Sequence, residues 1–298
     1  MRWYLLPVMV VGCTAPPKSP SISQQLASSS CTQMTPVGVV PEPLVELSGL
    51  VASRTHANVL YAHNDSGDVA RFFALSATDA RVLATFSLPN ASANDWEDIA
   101  YGPCPTGRCV FLGDIGDNRL RRTDYAVYRV QEPKEMVTGD VFYERLAFEY
   151  PAGVKRNAEA LLVHPTTGSL YVLTKEETGV PSQVYRFPEP LDTSKTVTLE
   201  GVAQLSVPTP SDVKLTAASF DPSGRKLLLR MYNRLVELDL PAGETSFERI
   251  FVQPPRDTPF ADEPQGKAVA FSADGKSYFT ASERTKRADV LLYRSTCK

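Results

Sequence analysis

No apolar run in this chain reaches the roughly 18 residues that a membrane-crossing helix requires, which excludes a multi-pass helical membrane protein. No Lys/Arg-rich stretch occurs either. The 31 basic and 34 acidic residues leave a formal charge of −3, so the electrostatic footprint of a polyphosphate partner is missing and no nucleic-acid partner is expected. Histidine is scarce, at three residues, and the chain has no Gly-x-Ser-x-Gly elbow, His-Glu-x-x-His helix, Gly-x-Gly-x-x-Gly turn or P-loop. A 3.6-residue apolar period is almost absent, which argues against crossover helices and a parallel sheet. What is present is an ordinary globular balance, 43% hydrophobic and 22% charged, punctuated by 24 prolines and 17 glycines.

The first residues read as an address. Arg2 supplies a positive charge, Trp3 to Val11 is almost wholly apolar, and Val10-Val11-Gly12-Cys13 resembles a bacterial lipobox. Residues 1–12 are then a signal peptide, and Cys13 carries the lipid. Residues 13–34, rich in serine and proline, form a flexible tether. The membrane is a partner through that lipid, with the outer membrane or cell surface favoured because no Asp follows Cys13.

With Cys13 lipidated, four cysteines remain and allow three pairings. Cys104 and Cys109 flank the turn-rich Pro-Thr-Gly-Arg, which favours a local bridge and leaves Cys31 to pair with Cys297.

An apolar, strand-like motif recurs about every fifty residues, at Ser48–Val51, Trp96–Ala100, Ala158–Leu162, Ala217–Phe220 and Gly266–Phe271. Turn residues and a second apolar run follow each motif, as where Asp221-Pro222-Ser223-Gly224 precedes Leu227-Leu228-Leu229. A third run carries the pair Tyr-Arg at 128–129, 185–186 and 293–294. A fourth run is expected at Val82–Leu88, Arg145–Tyr150, Val202–Val207 and Arg249–Val252. Four short strands per unit predict an all-β fold, a β-propeller over residues 35–298 with five blades favoured and six as the alternative. The last unit lacks a fourth strand, so a strand from residues 36–47 is expected to close the ring, pinned by Cys31–Cys297.

In such a ring the loops before each first strand share a face with those joining second and third strands. That face gathers Asp65, Asp95-Trp96-Glu97-Asp98, Asp114 to Asn118, Glu159, Lys175 and Glu283, with Lys214, Lys267 and Arg284 as counter-charges. The expected ligand-binding residues are Asp65, Trp96, Glu97, Asp98, Asp114, Asp117, Asn118, Glu159 and Lys267. Carboxylates crowded at a channel mouth bind a hard cation, pair with basic groups, or share protons. Asp65, Glu97, Asp114, Asp117 and Glu159 are the candidate calcium ligands, with Asn64, Asn118 and Asn157 as neutral donors. Trp96 either stacks on a ligand or packs between blades. His56 and His164 fall on the opposite face in turn-capping positions.

The segments Trp96-Glu97-Asp98-Ile99-Ala100, Gly113 to Asn118, Asn157-Ala158-Glu159-Ala160 and Gln265 to Val269 resemble a group of secreted bacterial β-propeller lipoproteins of unassigned activity. The chain is more distantly similar to propellers labelled phytase-like or esterase-like. The resemblance spans residues 45–295 and implies an acidic residue where Lys267 stands. Two functions follow as expectations. One is a monomeric envelope module binding a small molecule, a cation or an envelope protein; the other is a metal-dependent phosphoesterase or esterase.

Overall fold

The computed structural model describes residue 1 and residues 30–177, 179–205, 214–284 and 289–298. The lipobox expectation, Cys13 included, lies outside the described residues. From Ser30 onward the described residues form five mainly antiparallel sheets, and each is a blade of one propeller.

Blade 1 runs outward through Leu47–Ala52, Val59–Asn64, Arg71–Ser76 and Val82–Ser87; blade 2 through Trp96–Cys104, Gly107–Asp114, Ala126–Gln131 and Tyr143–Glu149. Blade 3 comprises Ala158–Val163, Leu170–Thr174, Gln183–Arg186 and Glu200–Gln204; blade 4 comprises Leu215–Phe220, Lys226–Met231, Arg234–Asp239 and the short Arg256–Asp257. Blade 5 has Gly266–Phe271, Ser277–Ser282 and Leu291–Thr296, and its outer strand is Thr35–Val39 from the N-terminal end. The ring is therefore five-bladed and closed as expected.

One expected strand is absent. Arg249–Val252 belongs to a 3-10 helix, Phe247–Val252, that buries Ile250 and Phe251 against blades 3 and 4. The outer strand of blade 4 comes later and is only two residues long. Two aromatics close together in a short apolar run anchor a helical turn as readily as a strand.

Alternation along each strand sends one set of side chains to each neighbouring blade, so the core is five inter-blade clusters rather than one central mass. The innermost strands pack on one another round the axis. Short strands also tie blades together. Gly139–Asp140, from the blade 2 segment, pairs in parallel with the outer strand of blade 1, and Val197–Thr198 does the same to blade 2. Gly224 and Gly275 turn the first hairpins of blades 4 and 5 at φ +72 and +70, a conformation that costs glycine little.

Both disulfides form: Cys104–Cys109 across a hairpin, and Cys31–Cys297 across 266 residues at the seam. Thr32 reinforces the seam, its amide donating to the Thr296 carbonyl at 2.8 Å. Cys297→Ser should cost about 2–4 kcal/mol, since the bridge restrains a very long loop in the unfolded chain. Urea unfolding monitored by tryptophan fluorescence checks this, and a midpoint equal to that of the wild type would contradict it.

Candidate functional site

Every innermost strand carries one extra residue at the same point of its pairing with the second strand. The register shifts between Leu47 and Gly49, Trp96 and Asp98, Ala158 and Ala160, Leu215 and Ala217, and Gly266 and Ala268. A bulge bends the strand and re-aims a side chain. The bulged residues are Ser48, Glu97, Glu159, Thr216 and Lys267, one per blade, and they meet round the axis. Ser48 Oγ donates to the Glu97 carbonyl at 2.5 Å, and Thr216 Oγ1 to the Gly266 carbonyl at 3.1 Å. Lys267 Nζ donates to Glu97 Oε2 at 2.9 Å and to Glu159 Oε2 at 3.1 Å.

A second ring lies above the first, made by the residue after each second strand: Asp65, Ile115, Lys175, Tyr232 and Glu283. Asp65 Oδ2 accepts from Lys267 at 2.9 Å, and Glu283 Oε1 stands 3.5 Å from the same ammonium. Lys175 Nζ donates to Glu159 Oε1 at 2.6 Å and to the Tyr232 hydroxyl at 2.8 Å. Asp95 completes the mouth: Asp65, Asp95 and Glu97 each offer an oxygen within 4.8 Å of the others. Gly116 makes room for this, because a Cβ there would lie 2.5 Å from Asp95 Oδ2 and 2.6 Å from Glu97 Oε1.

The electrostatics follow from burial and crowding. Burial and then repulsion from Glu159 push the Glu97 carboxyl well above its ordinary range, with Lys267 pulling the other way. Burial and the Asp65 charge raise Asp95 to about 6, and burial raises Glu283. Asp65 goes down, since the Lys267 charge and hydrogen bond overcome the burial that opposes them. Burial also opposes the Lys267 charge, but Glu97, Glu159, Asp65 and Glu283 hold its pKa well above the usual lysine range. Lys267 is therefore a permanent cation and supplies neither a base nor a nucleophile at neutral pH.

Four of the expected site residues thus converge: Asp65, Glu97, Glu159 and Lys267. Asp114, the last residue of the second strand of blade 2, and Asp117 and Asn118 in the loop after it stand apart. Asp114 Oδ1 pairs with Arg122 at 2.7 Å, and burial outweighs that cation, so its pKa rises. Asp117 accepts from the Tyr125 hydroxyl at 2.6 Å and from the Arg121 and Arg122 amides. Burial opposes its ionisation, but those donors take its pKa below the ordinary value. Asn118 Oδ1 accepts from Asn157 Nδ2 at 3.2 Å. Trp96 is a packing residue, 2% exposed, edge-on to His63 and beside Tyr128. Asp98 is wholly buried in the channel, where it accepts backbone N–H groups from three blades. Lys214 pairs with Glu177 and Arg284 with Glu42, so neither serves the centre. His164 caps its own turn, Nδ1 accepting from the Thr167 amide at 3.1 Å.

Calcium takes six to eight oxygens. The Lys267 ammonium draws one oxygen each from Asp65, Glu97 and Glu159, so among the described residues a metal ion fits on the Asp95 side, against Asp65, Asp95 and Glu97, with water completing its shell.

No protein-family model matches the chain, and no curated protein matches it. Solved structures do. An auxiliary nutrient binding protein from Bacteroides thetaiotaomicron superposes with a TM-score of 0.52 at 10% identity, over 88% of this chain and 75% of that one. A candidate 6-phosphogluconolactonase from Bacteroides uniformis gives 0.38 at 15% identity, over 85% and 67%. The β-propeller domain of Myceliophteria thermophila Cps50 (Swd1) gives 0.42 at 9% identity, over 83% and 82%. The first of these likenesses is one of fold.

Proposed function

We propose that the chain is a cell-envelope lipoprotein, anchored through Cys13, whose propeller is a binding module with its site at the acidic channel mouth. The ligand is a cationic group, an ammonium or a divalent cation such as calcium. One observation carries this reading. The mouth already holds an ammonium, that of Lys267, among Asp65, Glu97, Glu159 and Glu283, and still has Asp95 to spare. Five carboxylates face two ammonium groups, so the site has unspent negative potential on its Asp95 side. The auxiliary nutrient binding protein from Bacteroides thetaiotaomicron is a counterpart in fold for such a role.

Asp95 sets the pH dependence. With its pKa raised to about 6, a bound cation must displace its proton, so affinity rises with pH and levels off above that value. Calorimetric titration with calcium chloride and with a short alkyl diamine should show binding about tenfold tighter at pH 7.5 than at pH 5, the ratio expected for one proton displaced. Asp95→Asn should abolish that dependence. Absence of binding by both probes, or binding untouched by Asp95→Asn, would refute the reading.

The spacing of Asp65, Asp95 and Glu97 also supports a second reading, metal-dependent hydrolysis of an ester or phosphoester. Calcium-dependent turnover of a generic phosphoester, lost in Asp95→Asn, would select it.

A further inference from the structure

We infer that the opposite mouth of the channel is an oxyanion site built on Arg54 and Arg108, separate from the acidic mouth. The loops joining first and second strands surround this opening. Arg54 lies just past the innermost strand of blade 1, and with Tyr101, Val163, Ser219 and Phe220 it lines a channel cavity of about 20 Å³, room for one water-sized group. Arg108 is the second residue of the second strand of blade 2 and reaches across to blade 3, donating from Nη1 to the Pro165 carbonyl at 3.0 Å.

Neither of these two arginines is paired with a carboxylate. Arg122, Arg129 and Arg230 each have one, at 2.7, 2.8 and 2.6 Å. Among the described residues neither Arg54 nor Arg108 has an ion pair, and the Arg54 guanidinium donates to none of them. The nearby acids are already committed. Glu132 accepts from Ser53 Oγ at 2.6 Å and from the Tyr61 and Tyr101 hydroxyls at 3.1 and 2.5 Å. Asp221 accepts from the Ser223, Arg225 and Lys226 amides of its own turn.

Two like charges therefore stand near one another with no ion pair to either: Thr55, next to Arg54, lines one surface hollow with Arg108, and the Asp221 charge only partly offsets the burial of Arg54. Burial and then the Arg108 charge push the Arg54 pKa down, the direction expected of a cation that an anion would relieve. A third donor is at hand: Ser219 Oγ accepts from the Phe271 amide at 3.0 Å, and its own proton goes to no described residue. Arginine's planar fork matches a carboxylate or a phosphate, and the narrow cavity admits a single oxygen, so the ligand enters end-on.

The test titrates the purified chain with sodium phosphate and, separately, with sodium acetate. Ionic strength is held constant with chloride, and binding is followed by calorimetry and by the Arg54 Nε–H resonance. The expected result is saturable binding of at least one anion with a shift of that resonance. Affinity should fall at least tenfold in Arg54→Gln and in Arg108→Gln, and remain unchanged in Lys195→Gln. Preference for phosphate or for acetate assigns the headgroup. No saturable binding by the wild type beyond that of chloride overturns the inference, as does undiminished binding by both arginine variants.

Discussion

Lys267→Met should destabilise the propeller by about 3–5 kcal/mol at neutral pH, because it removes the cation from a buried group of carboxylates and leaves them facing one another. Glu97 and Glu159 are each 1% exposed, so water cannot screen them, and the nearest remaining ammonium, Lys175, touches only Glu159. The sign of the pH dependence follows. In the variant Glu97 loses its counter-charge, its folded pKa rises further above the unfolded one, and the folded state binds more protons. Stability of the variant therefore falls as pH rises above the ordinary carboxylate range, and the gap to the wild type narrows on acidification. The wild-type contribution of Lys267 has the other form. Its folded pKa is raised, so the contribution is complete at neutral pH and is lost only as pH rises through the folded value in the alkaline range. Urea unfolding at pH 5 and pH 7.5 measures the gap. Calcium should narrow it as well, since the vacated position is bounded by Asp65, Glu97 and Glu159. A variant as stable as the wild type at pH 7.5, or a gap that widens on acidification, would contradict this account.

The propeller was legible in the sequence because each blade repeats the same four-strand grammar, and turn residues such as Asp221 to Gly224 mark its hairpins. The seam was legible too, from a missing last strand and a cysteine at each end. The site was only partly so, for a reason of register. The apolar pattern of the five motifs sets Leu50, Ile99, Leu161, Ser219 and Ala270 in one position, but the bulges make Leu50, Ile99, Leu161, Ala218 and Val269 equivalent. A slip of one residue exchanges the faces of a strand. It therefore hides that Lys267 occupies the position of Glu97 and Glu159, and that Tyr232 occupies that of Asp65 and Lys175. The grouping of Asp114, Asp117 and Asn118 with the centre failed differently. Arg122 and Tyr125 claim those acids within one long loop, whose internal pairing depends on a conformation that strand periodicity does not encode.

Asp98→Ala should cost about as much as loss of the lysine, for a reason that lies in how a propeller closes on its axis. An innermost strand has no neighbour on its inner edge, so its N–H groups face the channel and must find acceptors. Asp98 supplies them for three blades: Oδ1 accepts from the Ile99 amide at 2.8 Å, and Oδ2 from Leu161 at 3.0 Å and Ala218 at 3.3 Å. Truncation leaves three buried donors without that acceptor, at about 1–3 kcal/mol each, for an expected total near 4 kcal/mol. Asp98→Asn should lose less than the alanine variant, because one oxygen remains while the amide turns its own donors toward the backbone. The pH dependence runs opposite to that of Lys267→Met. Burial raises the folded pKa of Asp98 although the three N–H groups oppose it, so the wild type takes up a proton on folding above the ordinary carboxylate range. Without Asp98 that uptake disappears, and the gap between wild type and alanine variant is widest in acid and shrinks as pH rises. Amide hydrogen exchange gives the local readout: Leu161 and Ala218 should exchange faster in the variant than other residues of their strands. A cost below about 1 kcal/mol together with unchanged protection at both amides would show that the axis is held by packing alone.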